Sequence, residues 1–327
     1  MTRYTKITAQ ITSLAITLAL AGCVFGPAAT GSFDRTFDVA GPIRLELSDA
    51  AGDISIKSST DKKVHIQAQV RVSGFGFESP DKRLVELIAN PPVEQKGDTI
   101  RIGKDFAHLH SVSISYLIDV PHETEVNTTV ASGSQSVSGV RGPVKATAVS
   151  GSIRVDGIER DAQLTTVSGS IDANNINDDV RASSASGAVS VSNAKGAVRA
   201  NALSGSTVVT NPGGRVEAGT ASGSIDVQGA KNDVKAQAAS GRVTVRGNPL
   251  GNSYWDLKTA SGTVQIAVPA TANFHLSADA VSGNIRADIP IVIEEQSKHS
   301  LRARVGNDGA RVEVHTVSGE IQIRGAS

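Results

Sequence analysis

Hydrophobic and polar residues alternate with period two through most of this chain, and from Ser132 onward the alternation itself repeats. The dipeptide Ser-Gly returns at Ser132, Ser150, Ser168, Ser186, Ser204, Ser222 and Ser240, each 18 residues after the last, and then at Ser261, Ser282 and Ser318. With the serine as column 0 of each repeat, columns 3 and 5 are mostly apolar with polar residues between, as in Ile153 and Val155, Ile171 and Ala173, Ile225 and Val227. That is the pattern of a strand with one buried face. Column 7 holds only Gly or Asn, for example Gly139, Asn175, Asn193 and Gly229. These residues accept positive φ at least cost, so the chain turns there. A second alternating run follows, with Val or Ala at column 12 and Ala or Leu at column 14. Such small inward residues imply a thin core.

Two short strands and two corners in 18 residues leave no room for a helical repeat, which needs roughly 30 or more per unit. The pattern predicts an all-β fold, a single-stranded β-helix or β-solenoid with rungs of 18–21 residues. Stacked at about 4.8 Å per rung, ten Ser-Gly markers imply a rod on the order of 50 Å long. One rung alone buries almost nothing, and the core forms only by stacking. The 36-residue interval from Ser282 to Ser318 reads as two periods with one marker missing. The serine column places hydroxyls in a row along one corner, suited to bonding neighbouring backbone. No base repeats beside it, so a row of nucleophiles is not implied.

Upstream of the regular rungs, residues 33–130 predict irregular coils of the same solenoid. Ala51-Gly52-Asp53-Ile54-Ser55-Ile56 carries the later register, Ser79 and Pro80 start a helix over roughly residues 80–89, and Lys96-Gly97-Asp98 turns a hairpin whose apolar positions are Val93, Ile100 and Ile102. Leu84, Val85, Leu87 and Ile88 fall on one helical face. An open solenoid end exposes unpaired strand edges. The helix and hairpin are the candidates to cover one end, and wider terminal rungs over 289–317 the other. Residues 131–327 hold the regular repeats.

The N-terminus has the form of an export signal: Arg3 and Lys6, an apolar run from Ile7 to Ala19, then Leu20, Ala21, Gly22 and Cys23. That run is too short to span a bilayer. The four residues resemble the lipobox of bacterial lipoproteins. The resemblance implies a signal peptide over 1–22, recognised by its peptidase at Leu20, Ala21 and Gly22, and a membrane partner reached through lipid on Cys23. Residues 23–32 read as the lipidated Cys and a short tether. Val24, in place of an Asp, leans towards the outer rather than the inner membrane. Cys23 is the chain's one cysteine, so no internal disulfide can form.

Removing residues 1–22 removes Arg3 and Lys6 and no acid. The balance becomes 32 − 2 = 30 basic against 32 acidic residues, which gives no footprint for nucleic acid. Aromatics are 3% of the chain, against a sugar-stacking groove. No cofactor, metal or catalytic site is expected. The calcium turns of β-roll proteins are missing, and His108-Leu109-His110 lacks a third ligand at a recognisable spacing. One row bears charge: column 13 carries Lys145, Arg181, Arg199 and Lys235, with Gln163 and with Glu217 interrupting it. This is either a solvated strand face or a docking stripe for an anionic glycan.

Tyr116-Leu117-Ile118-Asp119-Val120-Pro121 leading to Ala131-Ser132-Gly133, and Ile266-Ala267-Val268-Pro269 leading to Val281-Ser282-Gly283, frame the rungs between them. With these features the chain resembles the bacterial putative-adhesin β-solenoid family, most of whose members are domains of unknown function. The resemblance covers roughly residues 33–327. It implies a right-handed coil on the cell envelope, a structural or adhesin-like role with envelope proteins or surface glycans as partners, and no catalytic residues. A carbohydrate-active β-helix, lyase-like or hydrolase-like, is the alternative.

Overall fold

The computed structural model describes residues 26–74, 79–103 and 111–326. The export signal, Cys23 and the His108–His110 pair lie outside the described residues. Among the described residues two long sheets, A with 14 strands and B with 15, enclose one hydrophobic core that runs from Ala29 to Ile323.

The regular coils each give one strand to each sheet. Sheet B takes β10 (Val144–Ser150), β12 (Ala162–Ser168), β14 (Val180–Ser186), β16 (Val198–Ser204), β18 (Val216–Ser222) and β20 (Val234–Ser240). Sheet A takes β11 (Ile153–Ile158), β13 (Ile171–Ile176), β15 (Val189–Ser192), β17 (Thr207–Thr210), β19 (Ile225–Ala230) and β21 (Val243–Gly247). Pairing is parallel, with each residue opposite the one 18 positions on except at the register shift where Ala230 faces Gly247, so Ile153 faces Ile171 and Arg181 faces Arg199. Columns 3, 5, 12 and 14 are buried throughout, as the alternation requires.

Both ends depart from simple stacking in the same way. At the N-terminal end the coil of β2 (Ile43–Ala51) and β3 (Ile54–Ser59) is followed by β4 (Lys63–Gly74), α1 (Pro80–Ala89), the hairpin β5 (Val93–Lys96) and β6 (Thr99–Ile102), and then β7 (Val112–Pro121), β8 (Thr124–Ser132) and β9 (Gln135–Ser138). In space β2 lies between β6 and β8, and β3 between β7 and β9. The first coil is therefore seated inside later chain. The C-terminal end mirrors this. After β22 (Tyr254–Ser261), β23 (Val264–Val268), β24 (Phe274–Ser282) and β25 (Ile285–Ala287), the chain leaves the stack as β26 (Val292–Gln296) and β27 (Ser300–Val305), which pair antiparallel. It then returns as β28 (Ala310–Ser318) and β29 (Ile321–Gly325), inserted between the coils of Ser261 and Ser282.

This corrects the reading of the 36-residue interval. No marker is missing from a stack; the interval holds the antiparallel excursion of β26 and β27 before the inserted β28, and 289–309 does not form wider rungs. A second correction concerns the tether: β1 (Gly26–Asp38) is already strand from Gly26 and pairs antiparallel with β4, so the tether expected over 23–32 is sheet from Gly26 onward.

The helix covers the N-terminal end as expected. Ser79 caps it, its side chain accepting from the Lys82 amide at 3.4 Å. Leu84 is buried, and Leu87 and Ile88 pack against the core. Gly31 lets the helix approach, because a Cβ there would lie 2.5 Å from Ile88 Cδ1. Val85 is 66% exposed and does not belong to the packing face. At the opposite end the edges are guarded by shortness and charge: β25 has three residues, and β26 is exposed throughout and carries Glu294 and Glu295.

Candidate interaction faces

The Ser-Gly corner is built by glycine. Along column 1 the φ values run from +140° to +158°, a region closed to residues with a Cβ. A Cβ at Gly151 would sit 2.0 Å from the carbonyl oxygen of Gly133, and its neighbours repeat that approach. Hydroxyls lock the same corner, but they come from the position two before the next serine, which is column 16 in an 18-residue coil. Thr166, Ser184, Thr220 and Thr259 donate to the carbonyls of Gly151, Gly169, Gly205 and Gly241 at 2.9–3.2 Å. The column 0 serines face solvent. Sequence reading passed over column 16, although Thr and Ser recurring among inward positions was the available signal. The opposite corner carries an amide ladder, with Asn193 donating to Asn175 at 3.2 Å and Asn211 to Asn193 at 3.3 Å, all three at φ between 51° and 56°.

Column 13 does form one line on the outer face of sheet B. Lys145, Gln163, Arg181, Arg199, Glu217 and Lys235 stand opposite one another in successive strands. Glu217 is not a mere interruption. It accepts from Arg199 Nη2 at 2.6 Å, which pulls its carboxyl below the ordinary range. Arg215, which sequence reading did not single out, joins Arg181 and Arg199 around a cleft of about 230 Å3. Its acids are Asp179 and Glu217, so three cations meet two carboxylates.

The outer face of sheet A carries a larger groove, about 990 Å3, where β1, β4, β7, β3 and the first regular coils meet. Ser, Gln and Asp side chains dominate its lining. Each of its carboxylates is already engaged: Asp34 pairs with His65 at 3.3 Å, Asp53 accepts from the Ser134 amide at 2.9 Å, and Asp172 accepts from Asn174 at 3.0 Å. Among the described residues no cluster of three or more His, Cys, Asp or Glu is placed to hold a metal ion. No described helix is long and apolar enough to cross a membrane.

One titratable group is placed against its own charge. Asp49, at an inward position of β2, is 3% exposed, and burial pushes its carboxyl up to about 7. Its Oδ2 has no hydrogen-bond partner. Burial first, and the Asp49 charge second, push the Tyr116 hydroxyl up as well.

These sheets define the chain as a β-solenoid with parallel strands stacked in two long sheets. Within it, residues 214–324 match the model of the Toastrack DUF4097 family. Two solved structures align with the chain along most of its length. A putative cell adhesion protein from Clostridium sporogenes is 10% identical, covering 91% of this chain and 100% of its own with a TM-score of 0.22. A putative adhesin from Bacteroides fragilis is 15% identical, covering 90% of this chain and 97% of its own with a TM-score of 0.30. No curated protein matches the chain.

Proposed function

We propose that this protein is a lipid-anchored component of the cell envelope, held by lipid on Cys23 at the outer membrane, and that its solenoid is a rigid contact surface without catalysis. The observation that carries the reading is the register: identical side-chain columns stand in straight lines along two sheets that share one core. Such a surface offers repeated, weak contacts to an extended partner. The three carboxylates of the large groove are committed to structural bonds, which argues for binding there rather than for acid–base cleavage. The cleft of Arg181, Arg199 and Arg215 is the region of sheet B suited to an anionic glycan.

Retention on immobilised acidic polysaccharide, scored for binding and for released oligosaccharide, tests both halves. The expected result is salt-sensitive retention with no product. Replacing Arg181 and Arg199 by Ala should weaken it about tenfold, taking roughly 0.7 kcal/mol for each exposed charge contact. Product released at turnover would establish the carbohydrate-active alternative instead. For the anchor, the full chain should incorporate labelled fatty acid and fractionate with membranes, and Cys23→Ser should do neither; a Cys23→Ser variant that stays with membranes would refute the anchor.

A further inference from the structure

Column −1, just before each serine, is apolar in all ten copies from Ala131 to Val317, and it is a ridge open to solvent rather than core. Val149, Val167 and Leu203 are 52%, 51% and 61% exposed. The flanking columns bring no charge: from Thr147 to Ser240, columns −3 and 0 are Ser, Thr, Asn, Gln or Gly. The alanines between the large residues leave a shallow groove, about 900 Å3, from Thr165 to Lys258. An exposed apolar strip of this length, bordered by polar residues, marks a contact surface.

The order of sizes says what covers it. In stacking order the ridge reads Ala131, Val149, Val167, Ala185, Leu203, Ala221, Ala239 and Ala260 over eight successive coils, followed by Val317 and Val281 at the C-terminal end. Turned end for end about the point between Ala185 and Leu203, every large residue of those eight coils meets an alanine: Val149 meets Ala239, Val167 meets Ala221, and Leu203 meets Ala185; Val317 and Val281 lie beyond the eight-coil overlap. A parallel partner would set Val on Val and Leu on Leu and leave voids at the alanines, which is the poorer packing. A second copy also has the same spacing of about 4.8 Å along the rod, so each contact repeats without slipping out of step.

We infer that this ridge is a two-fold, antiparallel contact between two copies of the chain. The inference does not use the glycan cleft, and it rests on the proposed lipid anchor only for the local concentration a membrane supplies. A strip about 34 Å long and about 12 Å wide buries about 800 Å2 in total, below the range of stable interfaces, so the contact forms at high local concentration such as that on a membrane surface. Column 13 runs along the rim, and the two-fold brings Lys145 near Lys235 and Arg181 near Arg199 of the opposite copy. Glu217 on Arg199 and Asp179 beside Arg181 offset much of that like charge, so the contact rests on the apolar ridge and persists in salt, unlike the binding of an anionic ligand.

Photo-crosslinking the full chain in its membrane tests this, with p-benzoylphenylalanine at Val167 or at Ala239. The expected products are dimers joined from position 167 to residues 219–222 and from 239 to residues 147–150. Yield should hold between 50 mM and 500 mM salt and fall several-fold in Leu203→Asp. That variant is read alongside its urea midpoint, since an exposed position leaves the midpoint unchanged. Links from 167 to 167, links to lipid or to a different protein, or monomer under all conditions in chain that fractionates with membranes would overturn the inference; a chain that does not fractionate with membranes fails the anchor instead, and the crosslinking is then read at high concentration in solution.

Discussion

A methyl group at Gly187 would lie 2.1 Å from the carbonyl oxygen of Gly169, on a backbone held at φ +146°. Gly187→Ala must therefore push neighbouring strands apart as well as strain the corner. The expected loss is about 2 kcal/mol or more, read as a lowered urea midpoint. Asn193, at φ 56°, has a milder requirement. Asn193→Gly should be nearly neutral, whereas Asn193→Ala loses both the ladder bonds and about 1 kcal/mol of backbone preference. Asp49 makes stability depend on pH with a definite sign. Its carboxyl ionises near 3.8 when unfolded and near 7 when folded, so the folded chain holds the extra proton between those values. Stability should fall as pH rises through that window and level off above it, by an amount on the order of 4 kcal/mol. Urea unfolding at pH 5 and pH 8 checks this: Asp49→Asn should remove that component of the slope. A wild-type chain that is more stable at pH 8 and matches the variant would exclude the effect.

The regular strands were legible element by element because an 18-residue period fixes both register and facing. The helix, too, announced itself through Ser79, Pro80 and its apolar spacing, although Val85 shares the spacing of Leu84 and Ile88 while facing water. The face a helix buries depends on the angle at which it meets β1 and β4, which composition does not state. The inserted terminal coils were not legible at all. Nothing local in β28 or β29 distinguishes a strand that ends the rod from one seated between two others. The consequence is measurable by hydrogen exchange. Amides of Val312, Val314, Ile321 and Ile323 lie between paired strands on both sides. They should exchange as slowly as Val198 and Val216 in mid-rod, while Glu294 and Glu295 in β26 exchange fast.

At the scale of the whole molecule, one core joins all coils, and each coil is stabilised mainly through its neighbours. Trp255, fully buried and the one tryptophan of the chain, reports the C-terminal third, with its Nε1 donating to the Asn232 carbonyl at 2.9 Å. Ile171→Ala in mid-rod should lower stability by roughly 2–5 kcal/mol. Because the core is continuous, Trp255 fluorescence and far-ultraviolet circular dichroism should keep a common midpoint as it falls. Two separated transitions would show that the rod unfolds in independent pieces.

The sequence by itself determined the coil: its period, its buried columns, its glycine and asparagine corners and its helical plug, because each depends on chemistry repeated within a few residues. It also set out the Arg and Lys column, since a strict period carries position into space. Only the tertiary structure decided which coil neighbours which at the two ends, that Arg215 joins Arg181 and Arg199, and that Asp49 is sealed in the core. Those outcomes depend on contacts between residues far apart in the chain, where no local periodicity carries the information.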